Sequence, residues 1–315
     1  MHPPASITLE RVTLPGASAE TAPWLNCRTA GPAGAPVLLF LHGFPEAAFA
    51  WDDMLAHFGA HYRCVAPNLR GYDGSHAPEG VAAYKAQEVI GDLIALIQHE
   101  GAPVEAVIAH DWGGALAWGL AALAPQLMRK LIILNAPHPG LFLQALRDDP
   151  AQQAASSYMN LLREPGVEHR LAADDFRLMW GFFERFGGAA WLTPAWRERY
   201  RAAWSATPLA APGTPAAPSP LTGPLNYYRA SPLHPPTSPD DAIHRLQLPE
   251  ALLHVVVPTR VIWGEADTAL PPSLLDGLAQ HVPDLQVTRL SGLSHWLVHE
   301  DPAAVATAIA HALTH

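Results

Sequence analysis

The chain has 315 residues, which corresponds to about two domains or to one large domain with an insertion. Hydrophobic residues make up 49% of it, enough for a large buried core, but no apolar run reaches the ~18 residues that a membrane span needs. The 19 basic and 29 acidic residues give a net charge of −10, which argues against nucleic acid and anionic membranes as partners, and the two cysteines exclude a disulfide scaffold or a cysteine-rich zinc site.

The first 137 residues alternate short apolar runs with helical patterns. The N-terminus has neither the basic segment nor the apolar stretch of a signal peptide, so we expect a cytoplasmic protein. Strands are predicted at residues 7–14, 24–29, 37–41, 63–66, 104–109 and 131–134, and helices at 48–58, 81–98 and 113–124. Continuous apolar runs such as residues 37–41 are typical of parallel strands that helices cover on both faces. The alternation therefore predicts a doubly wound α/β sheet that begins with a hairpin.

Residues 138–240 show helical patterns without clear strands. Helices are predicted to begin at Asp149, Asp174 and Thr193, and the first two to end at residues 165–166 and 187–188. Two proline-rich stretches, residues 207–224 and 232–239, are predicted to be irregular surface loops, because proline lacks the amide donor and fixes φ. This segment is therefore predicted to be a small helical insertion.

Strand and helix patterns return after the insertion. Strands are predicted at residues 259–263 and 285–290, and helices at residues 272–281 and 301–313. We therefore expect three parts in the chain. Residues 1–137 and 241–315 form the two pieces of an α/β core, and residues 138–240 form the helical insertion between them.

A charged residue stands between small residues where a predicted strand meets a predicted helix. The residues HDWGG, with Asp111 in second place, follow the strand at 104–109. Small residues allow a tight strand-to-helix turn that lifts the central side chain above the sheet edge, where it can act as a nucleophile. The helix N-terminus favours the ionised form of this carboxyl group. The alternative interpretation is an aspartate that only caps the helix.

A second motif, HGFPE at residues 42–46, directly follows the strand at residues 37–41. A loop at this place can aim the backbone N–H of Phe44 at the nucleophile. Together with the backbone N–H of Trp112 it would form an oxyanion hole. The alternative is an ordinary turn made by glycine and proline.

Two further motifs supply an acid and a base. GEADT places Asp267 after the strand at residues 259–263, and SHW places His295 after the last predicted strand. The order along the chain is therefore nucleophile, acid and base, each at a strand end. Carboxyl ends of parallel strands meet at one edge of a sheet, so these side chains are predicted to form one site.

Five motifs of the chain occur together in one known family. They are HGFPE, RGYDGS at residues 70–75, HDWGG, GEADT and SHW. In this combination the chain resembles the α/β-hydrolases, and within them the epoxide hydrolase and haloalkane dehalogenase branch. The resemblance covers nearly the whole chain and implies a mostly parallel eight-stranded sheet, helices on both faces and an inserted helical cap. It implies no cofactor, and the sequence shows no metal-ligand spacing.

The resemblance also implies a two-step mechanism. An aspartate nucleophile suits attack on a saturated carbon, whereas a serine would suit acyl substrates. The Asp111 carboxylate would displace the leaving group and form an alkyl ester. His295, oriented by Asp267, would then activate the water that attacks this ester, while the N–H groups of Phe44 and Trp112 hold the oxyanion.

The position of the acid differs within the family. In some members it follows the sixth strand, where this chain has Asn135, which cannot carry the charge. Asp267 is therefore the expected acid. Asp301 and Glu300 lie close to the base in sequence and are interpreted as N-terminal caps of the last helix.

The leaving group decides the substrate, and an epoxide needs a proton donor. Epoxide hydrolases place two tyrosines of the cap over the nucleophile. The segment Leu-Asn-Tyr-Tyr-Arg resembles the family's second tyrosine segment and puts Tyr228 at the tyrosine position. The first tyrosine position falls on Leu161. Tyr158, three residues earlier on the same helical face, is the substitute, although buried packing is the favoured interpretation for it.

A halide leaves as a stable anion and needs only N–H donors. Trp112 could supply one, but epoxide hydrolases carry this tryptophan as well. Phe44 stands where dehalogenases often have a second side-chain donor, and Trp180 of the insertion is the candidate to replace it. Trp296 is a further candidate for the substrate pocket, which is expected to be apolar and aromatic.

We therefore predict hydrolysis of a small apolar epoxide by water, to give a vicinal diol. A haloalkane dehalogenase is the second hypothesis, and a binding protein on a hydrolase scaffold without turnover is the third. The sequence leaves the oligomeric state open.

Overall fold

The computed structural model of the chain describes residues 5–15 and 22–315. Residues 1–4, on which the expectation about a signal peptide rests, and residues 16–21 lie outside this description. In the described residues the strands are β1 (Ile7–Thr13), β2 (Trp24–Ala30), β3 (Val37–Leu41), β4 (Arg63–Pro67), β5 (Ala106–His110), β6 (Leu131–Leu134), β7 (Thr259–Gly264) and β8 (Leu285–Leu290). Each predicted strand is therefore confirmed to within two residues at either end.

The helices of the described residues follow the strands in alternation. They are α1 (Asp52–Phe58), α2 (Ala86–Glu100), α3 (Asp111–Leu123), α4 (Pro139–Asp148), α5 (Pro150–Ala155), α6 (Tyr158–Arg163), α7 (Val167–Arg185), α8 (Pro194–Ser205), α9 (Thr222–Ala230), α10 (Leu297–Glu300) and α11 (Pro302–Thr314). Short 3-10 turns precede α1 and α2, which accounts for the early starts predicted for these two helices. Helices α4 to α9 lie between β6 and β7 in the chain.

The eight strands of the described residues form one sheet in the order β1-β2-β4-β3-β5-β6-β7-β8. β1 pairs antiparallel with β2, and β2 with β4, whereas the other neighbours are parallel. This is the doubly wound, mostly parallel sheet that the sequence predicts. The strand order reverses beside β3 and β5, and the carboxyl ends of such strands are where α/β sheets place their ligands.

Both faces of the sheet are buried, because alternate residues of each central strand point to opposite sides. On β3, Leu39 and Leu41 pack with α2 and α3, whereas Leu38 and Phe40 pack with α1 and α11. Helices on both faces explain the continuous apolar run that identified β3 in the sequence.

The insertion differs from the prediction in its helix boundaries. The helix expected from Asp149 is two helices, α5 and α6, that break at residues 156–157, and α4 precedes them. α7 consists of two helical segments joined by a kink, and the helix expected to begin at Asp174 is the second of them. Asp174 lies in the kink, where three consecutive residues have positive φ, and the first segment, from Val167, was not predicted. Thr193 caps α8 as predicted, accepting a hydrogen bond from the backbone N–H of Trp196.

One further prediction is wrong, and another is confirmed only in part. The helix expected at residues 272–281 is a pair of 3-10 turns, because Gly277 has a φ of +85° that a helix cannot contain. The proline-rich stretch 207–224 is only partly a surface loop. Ala217 is buried and donates its backbone N–H to the carbonyl oxygen of Ala77 at 2.8 Å, and Thr222 opens α9 with Pro224 in its first turn, where proline is tolerated.

Within the described part of the chain, no helix is both long enough and apolar enough to cross a membrane.

Candidate active site

Asp111 lies at the junction of β5 and α3 with a φ of 50°. Aspartate is one of the few residues other than glycine that adopt this left-handed conformation. Two neighbouring glycines make the turn sterically feasible. A Cβ at Gly43 would lie 2.1 Å from Asp111 Oδ1, and a Cβ at Gly113 would lie 2.5 Å from the Leu41 carbonyl oxygen. The small residues around Asp111 are therefore required by the close approach of two backbones.

The two oxygens of the Asp111 carboxylate have different neighbours. Oδ1 accepts a hydrogen bond from the backbone N–H of Phe44 at 2.7 Å. Oδ2 lies 3.7 Å from Nε2 of His295. Trp112 is the first residue after the turn, so its backbone N–H belongs to the helix start that lacks intrahelical partners. The geometry thus holds Oδ1 at the N–H of Phe44, whereas Oδ2 faces the imidazole of His295.

The His295 imidazole bridges the two carboxylates of the site. Its Nδ1 lies 2.7 Å from Oδ2 of Asp267, so the Nδ1–H donates there and Nε2 faces Asp111. His295 and Asp267 are both buried. Burial alone would lower the pKa of His295, but the carboxylates of Asp267, Asp111 and Glu46 raise it to about 9.

Asp267 is fully hydrogen-bonded inside the protein. Its Oδ1 accepts from the backbone N–H groups of Ala269 and Leu270, both at 2.8 Å. Its Oδ2 accepts from Nδ2 of Asn135 at 2.7 Å, and Oδ1 of Asn135 in turn accepts from the backbone N–H of Gly264 at 2.8 Å. Asn135 is thus a direct hydrogen-bond partner of the acid. The sequence identified its position only as the alternative place for the acid.

A buried polar cluster behind the site is absent from the sequence prediction. Oε1 of Glu46 accepts from the Tyr200 hydroxyl at 2.9 Å and contacts Nε2 of His299. Oε2 lies 3.3 Å from Nδ1 of His110, whose Nε2 lies 2.9 Å from the carbonyl oxygen of His295. Burial would raise the pKa of Glu46, but His299 and His110 hold it well below its usual range. In the sequence, the only indication of this cluster was Glu46, the last residue of the HGFPE motif.

Helix α8 of the insertion also holds the loop that carries Phe44. Tyr200 reaches Glu46, and the indole N–H of Trp204 donates to the carbonyl oxygen of Pro45 at 2.8 Å. Both contacts come from one face of α8, four residues apart. The position of the Phe44 N–H therefore depends on residues of the insertion as well as on β3.

Two tyrosines of the insertion lie over Asp111. The Tyr228 ring meets the rings of Trp112 and Phe44 edge to face, with centroids 5.0 and 5.2 Å apart. The Tyr158 and Tyr228 centroids are 6.3 Å apart. Burial raises the pKa of both hydroxyls, and the negative charge of Asp111 raises it further. Both hydroxyls therefore stay protonated, and Tyr158 reaches the site, contrary to the packing role favoured from sequence.

The tyrosines and Asp111 form one end of a cavity of about 620 Å³ between α3 and the inserted helices. Asp111, Trp112, Tyr158 and Tyr228 all line it. Leu161, at the family's first tyrosine position, does not, because it packs against the main core from α6. The volume is in the range of cavities that enclose most of a drug-sized molecule.

Two predicted tryptophans lie outside the cavity wall. The Trp180 indole N–H donates to the carbonyl oxygen of Asp175 at 2.7 Å, and its ring packs on Trp204. Trp296 donates its indole N–H to the carbonyl oxygen of Phe183 at 3.1 Å and lies against the His295 ring. Both side chains have structural partners, so neither is available as a donor to a ligand.

Glu300 is also not a helix cap, because it accepts from the backbone N–H and hydroxyl of Ser294.

Comparisons with known proteins agree on one family. A family model described as alpha/beta hydrolase fold matches residues 36–302. AB hydrolase superfamily protein YfhM of Bacillus subtilis is 32% identical over 283 residues, covering 89% of this chain and 91% of that protein. Epoxide hydrolase 4 of Mus musculus is 32% identical over 285 residues, covering 88% of this chain and 72% of that protein.

A solved structure is similar over nearly the whole chain. It is described as a novel epoxide hydrolase of the alpha/beta hydrolases superfamily from metagenomes of hot environments. It superposes with a TM-score of 0.84 at 34% identity, covering 98% of this chain and 99% of that one. The similarity therefore includes the inserted helices as well as the sheet.

Proposed function

This chain belongs to the α/β-hydrolase fold family, and we propose that it hydrolyses an epoxide to a vicinal diol through a covalent ester on Asp111. The observation that carries the proposal is the pair of protonated tyrosines, the buried Tyr228 and the half-buried Tyr158, that line the same cavity as Asp111. An epoxide oxygen leaves as an alkoxide and needs such a donor. The relatives named epoxide hydrolase support the same activity. In this proposal residues 138–240 are the cap that covers the substrate.

In the first step, Oδ2 of Asp111 attacks a ring carbon of the epoxide. A bond forms between this oxygen and the carbon, and the bond from that carbon to the ring oxygen breaks. The ring oxygen takes a proton from Tyr228 or Tyr158. The Phe44 N–H holds Oδ1 during the attack, which leaves Oδ2 as the nucleophilic atom.

In the second step, Nε2 of His295 takes a proton from a water molecule, whose oxygen attacks the ester carbonyl carbon. The oxyanion forms on Oδ1, at the N–H groups of Phe44 and Trp112. The bond between the carbonyl carbon and the alkyl oxygen then breaks, and this oxygen takes the proton from His295. The regenerated carboxylic acid returns its proton to the tyrosinate, so epoxide and water are consumed and a diol is released.

Removing both tyrosine hydroxyls is expected to slow ester formation by about 10²- to 10³-fold, because a positioned proton donor contributes on this scale. Single Tyr158→Phe and Tyr228→Phe variants are expected to lose less, since either hydroxyl can protonate the ring oxygen. The measurement is the single-turnover rate of ester formation for the two single variants and the double variant. A double variant that forms the ester at the wild-type rate would exclude the tyrosines as donors.

Hydrolysis of the ester is expected to accelerate as the pH rises, with a midpoint below about 9. Only the neutral imidazole of His295 can take a proton from water. Esterification removes the charge of Asp111, one of the three carboxylates that raise the pKa of His295 to about 9. The pKa in the intermediate must therefore be lower. The measurement is the decay rate of the ester between about pH 6 and pH 10. A decay rate that is independent of pH would contradict the role of His295.

The proposal is tested by a single turnover in water enriched in heavy oxygen, with enzyme in excess over a small epoxide. Because water attacks the carbonyl carbon, the heavy oxygen enters Asp111 and the diol carries an ordinary oxygen. Mass spectrometry of the peptide that contains Asp111 should show the label, and the diol should lack it. A label in the diol and none in the peptide would mean direct attack by water on the epoxide.

The same experiment separates the other two hypotheses. A dehalogenase would leave epoxides unchanged and would release halide from a haloalkane while labelling the same peptide. The structure does not favour this, because Phe44 has no side-chain donor and the indole N–H of Trp180 is already bonded within the insertion. A binding protein would give neither product nor label with either substrate class.

A further inference from the structure

The cavity is not confined to the surroundings of Asp111 but follows α3 as a groove. Asp111, Ala115, Gly119 and Leu123 all line it, and these positions follow one another at intervals of four residues. Successive side chains at this spacing are neighbours offset by about 40° around the helix axis, so the row winds slowly along α3. At 1.5 Å per residue, the groove extends about 18 Å from the nucleophile to the end of α3.

We propose that this groove holds a long, unbranched and uncharged apolar substituent of the epoxide, and that the small residues Ala115 and Gly119 leave the room for it. The inference rests on the proposed function and adds the substrate class to it. The groove provides an apolar path in one direction from the reacting carbon. A terminal epoxide with an extended chain matches that shape.

The width of the groove depends on the small residues Ala115 and Gly119, which lie between Asp111 and Leu123 on α3. Ala115 is exposed to the cavity. At Gly119, a Cβ would lie 2.9 Å from Cδ1 of Ile90, which lines the groove from α2. The two helices therefore approach closely here. A side chain at position 119 would have to displace Cδ1 of Ile90, which lines the groove, so glycine at this position keeps the groove wall in place.

The lining of the groove carries almost no charge, which favours a neutral substituent. Among the described residues that line the cavity, Asp111 is the only charged one. Beyond the tyrosines, the polar side chains of the lining are Gln87 and Ser231. An ionised group placed partway along this groove would lose its hydration without gaining a partner. The far end is open, because Leu123 there is 53% exposed.

The experiment is a series of terminal epoxides that share one reacting centre, from epoxybutane through epoxyoctane to epoxydodecane. We expect kcat/KM to rise about two- to fourfold for each added methylene until the groove is filled. A chain of the length of epoxyoctane that ends in a carboxylate should fall at least 10²-fold below its neutral counterpart. Equal rates along the series, or an equal rate for the carboxylate, would overturn the inference.

Ala115→Leu tests the position of the groove. We expect the ratio of kcat/KM for epoxydodecane to that for epoxybutane to fall at least tenfold, because the new side chain fills the groove partway along. Leucine keeps the helix propensity at this exposed position, and circular dichroism checks the fold. Ala303→Leu is the matched control, since Ala303 is exposed on α11 and does not line the cavity; it should keep the wild-type ratio.

The outcomes separate this inference from the proposed function. Turnover of epoxides with a ratio that Ala115→Leu leaves unchanged overturns the groove and leaves the proposed function standing. No turnover of any epoxide, and no heavy oxygen in Asp111, overturns the proposed function and this inference with it. Should Ala115→Leu fail to fold, Ala115→Met fills the same space with a more flexible side chain and gives the same readout.

Discussion

A His295→Ala variant is expected to stop at the ester on Asp111, before the first turnover is complete, and to accumulate this ester, with kcat lowered by about 10⁴-fold. Ester formation does not need the imidazole, because the nucleophile and both tyrosines remain. Hydrolysis does need it, because no other group in the described structure contacts both Asp111 and Asp267 as His295 does. The variant should fold, since Asp267 keeps its hydrogen bonds from Asn135, Ala269 and Leu270.

The measurement is the intact mass of His295→Ala after exposure to a pool of small epoxides. A gain equal to the mass of one epoxide, mapped to the peptide that contains Asp111, is the expected result. An adduct with haloalkanes and release of halide, without an adduct from epoxides, would favour the dehalogenase hypothesis. The absence of any adduct, with the protein folded, would favour a binding function.

Asp111→Asn is expected to lower kcat by about 10⁴-fold or more and to abolish the adduct in the His295→Ala background. The amide is a poor nucleophile but conserves the local geometry. Its oxygen can still accept the Phe44 N–H, and asparagine tolerates the positive φ at this position. The loss would therefore report chemistry and not misfolding, which near-ultraviolet circular dichroism can verify.

Asp301→Asn is the matched control for this substitution. It makes the same chemical change six residues after His295, at a carboxylate that caps α11 from the exposed surface. Asparagine is an equally good cap, so neither stability nor activity should change measurably. Diol formation by Asp111→Asn at the wild-type rate would refute the ester mechanism.

The sequence was most informative where the chain passes from a strand into a loop. The positions of Asp111, Asp267 and His295 followed from three such junctions, because parallel strands bring their carboxyl ends to one edge. The central strands β3, β5, β6 and β7 were predictable for a related reason. Burial on both faces leaves continuous apolar runs, as in β3, that few other structures produce.

The contacts that support the site were not predictable from the same patterns. Asn135 and Asp267 are 132 positions apart, and Glu46 and His299 are 253 apart, so no local pattern links either pair. The position of Tyr158 depends on where α5 ends and α6 begins, whereas the sequence pattern predicts one continuous helix there. The sequence offers Trp180 as a donor to a ligand because its indole N–H is polar. In the structure this N–H donates to a backbone carbonyl oxygen in the kink of α7.

The hydrogen bonds from α8 to the loop that carries Phe44 limit which segments this protein can exchange with its relatives. A chimaera that replaces residues 138–240 with the equivalent segment of another member would remove Tyr200 and Trp204 from Glu46 and Pro45. The charge of Glu46 would then be buried with fewer donors, in the loop whose Phe44 N–H donates to Asp111. Exchanging residues 138–240 should therefore succeed only when the donor sequence brings a hydroxyl and an indole N–H to the same two places.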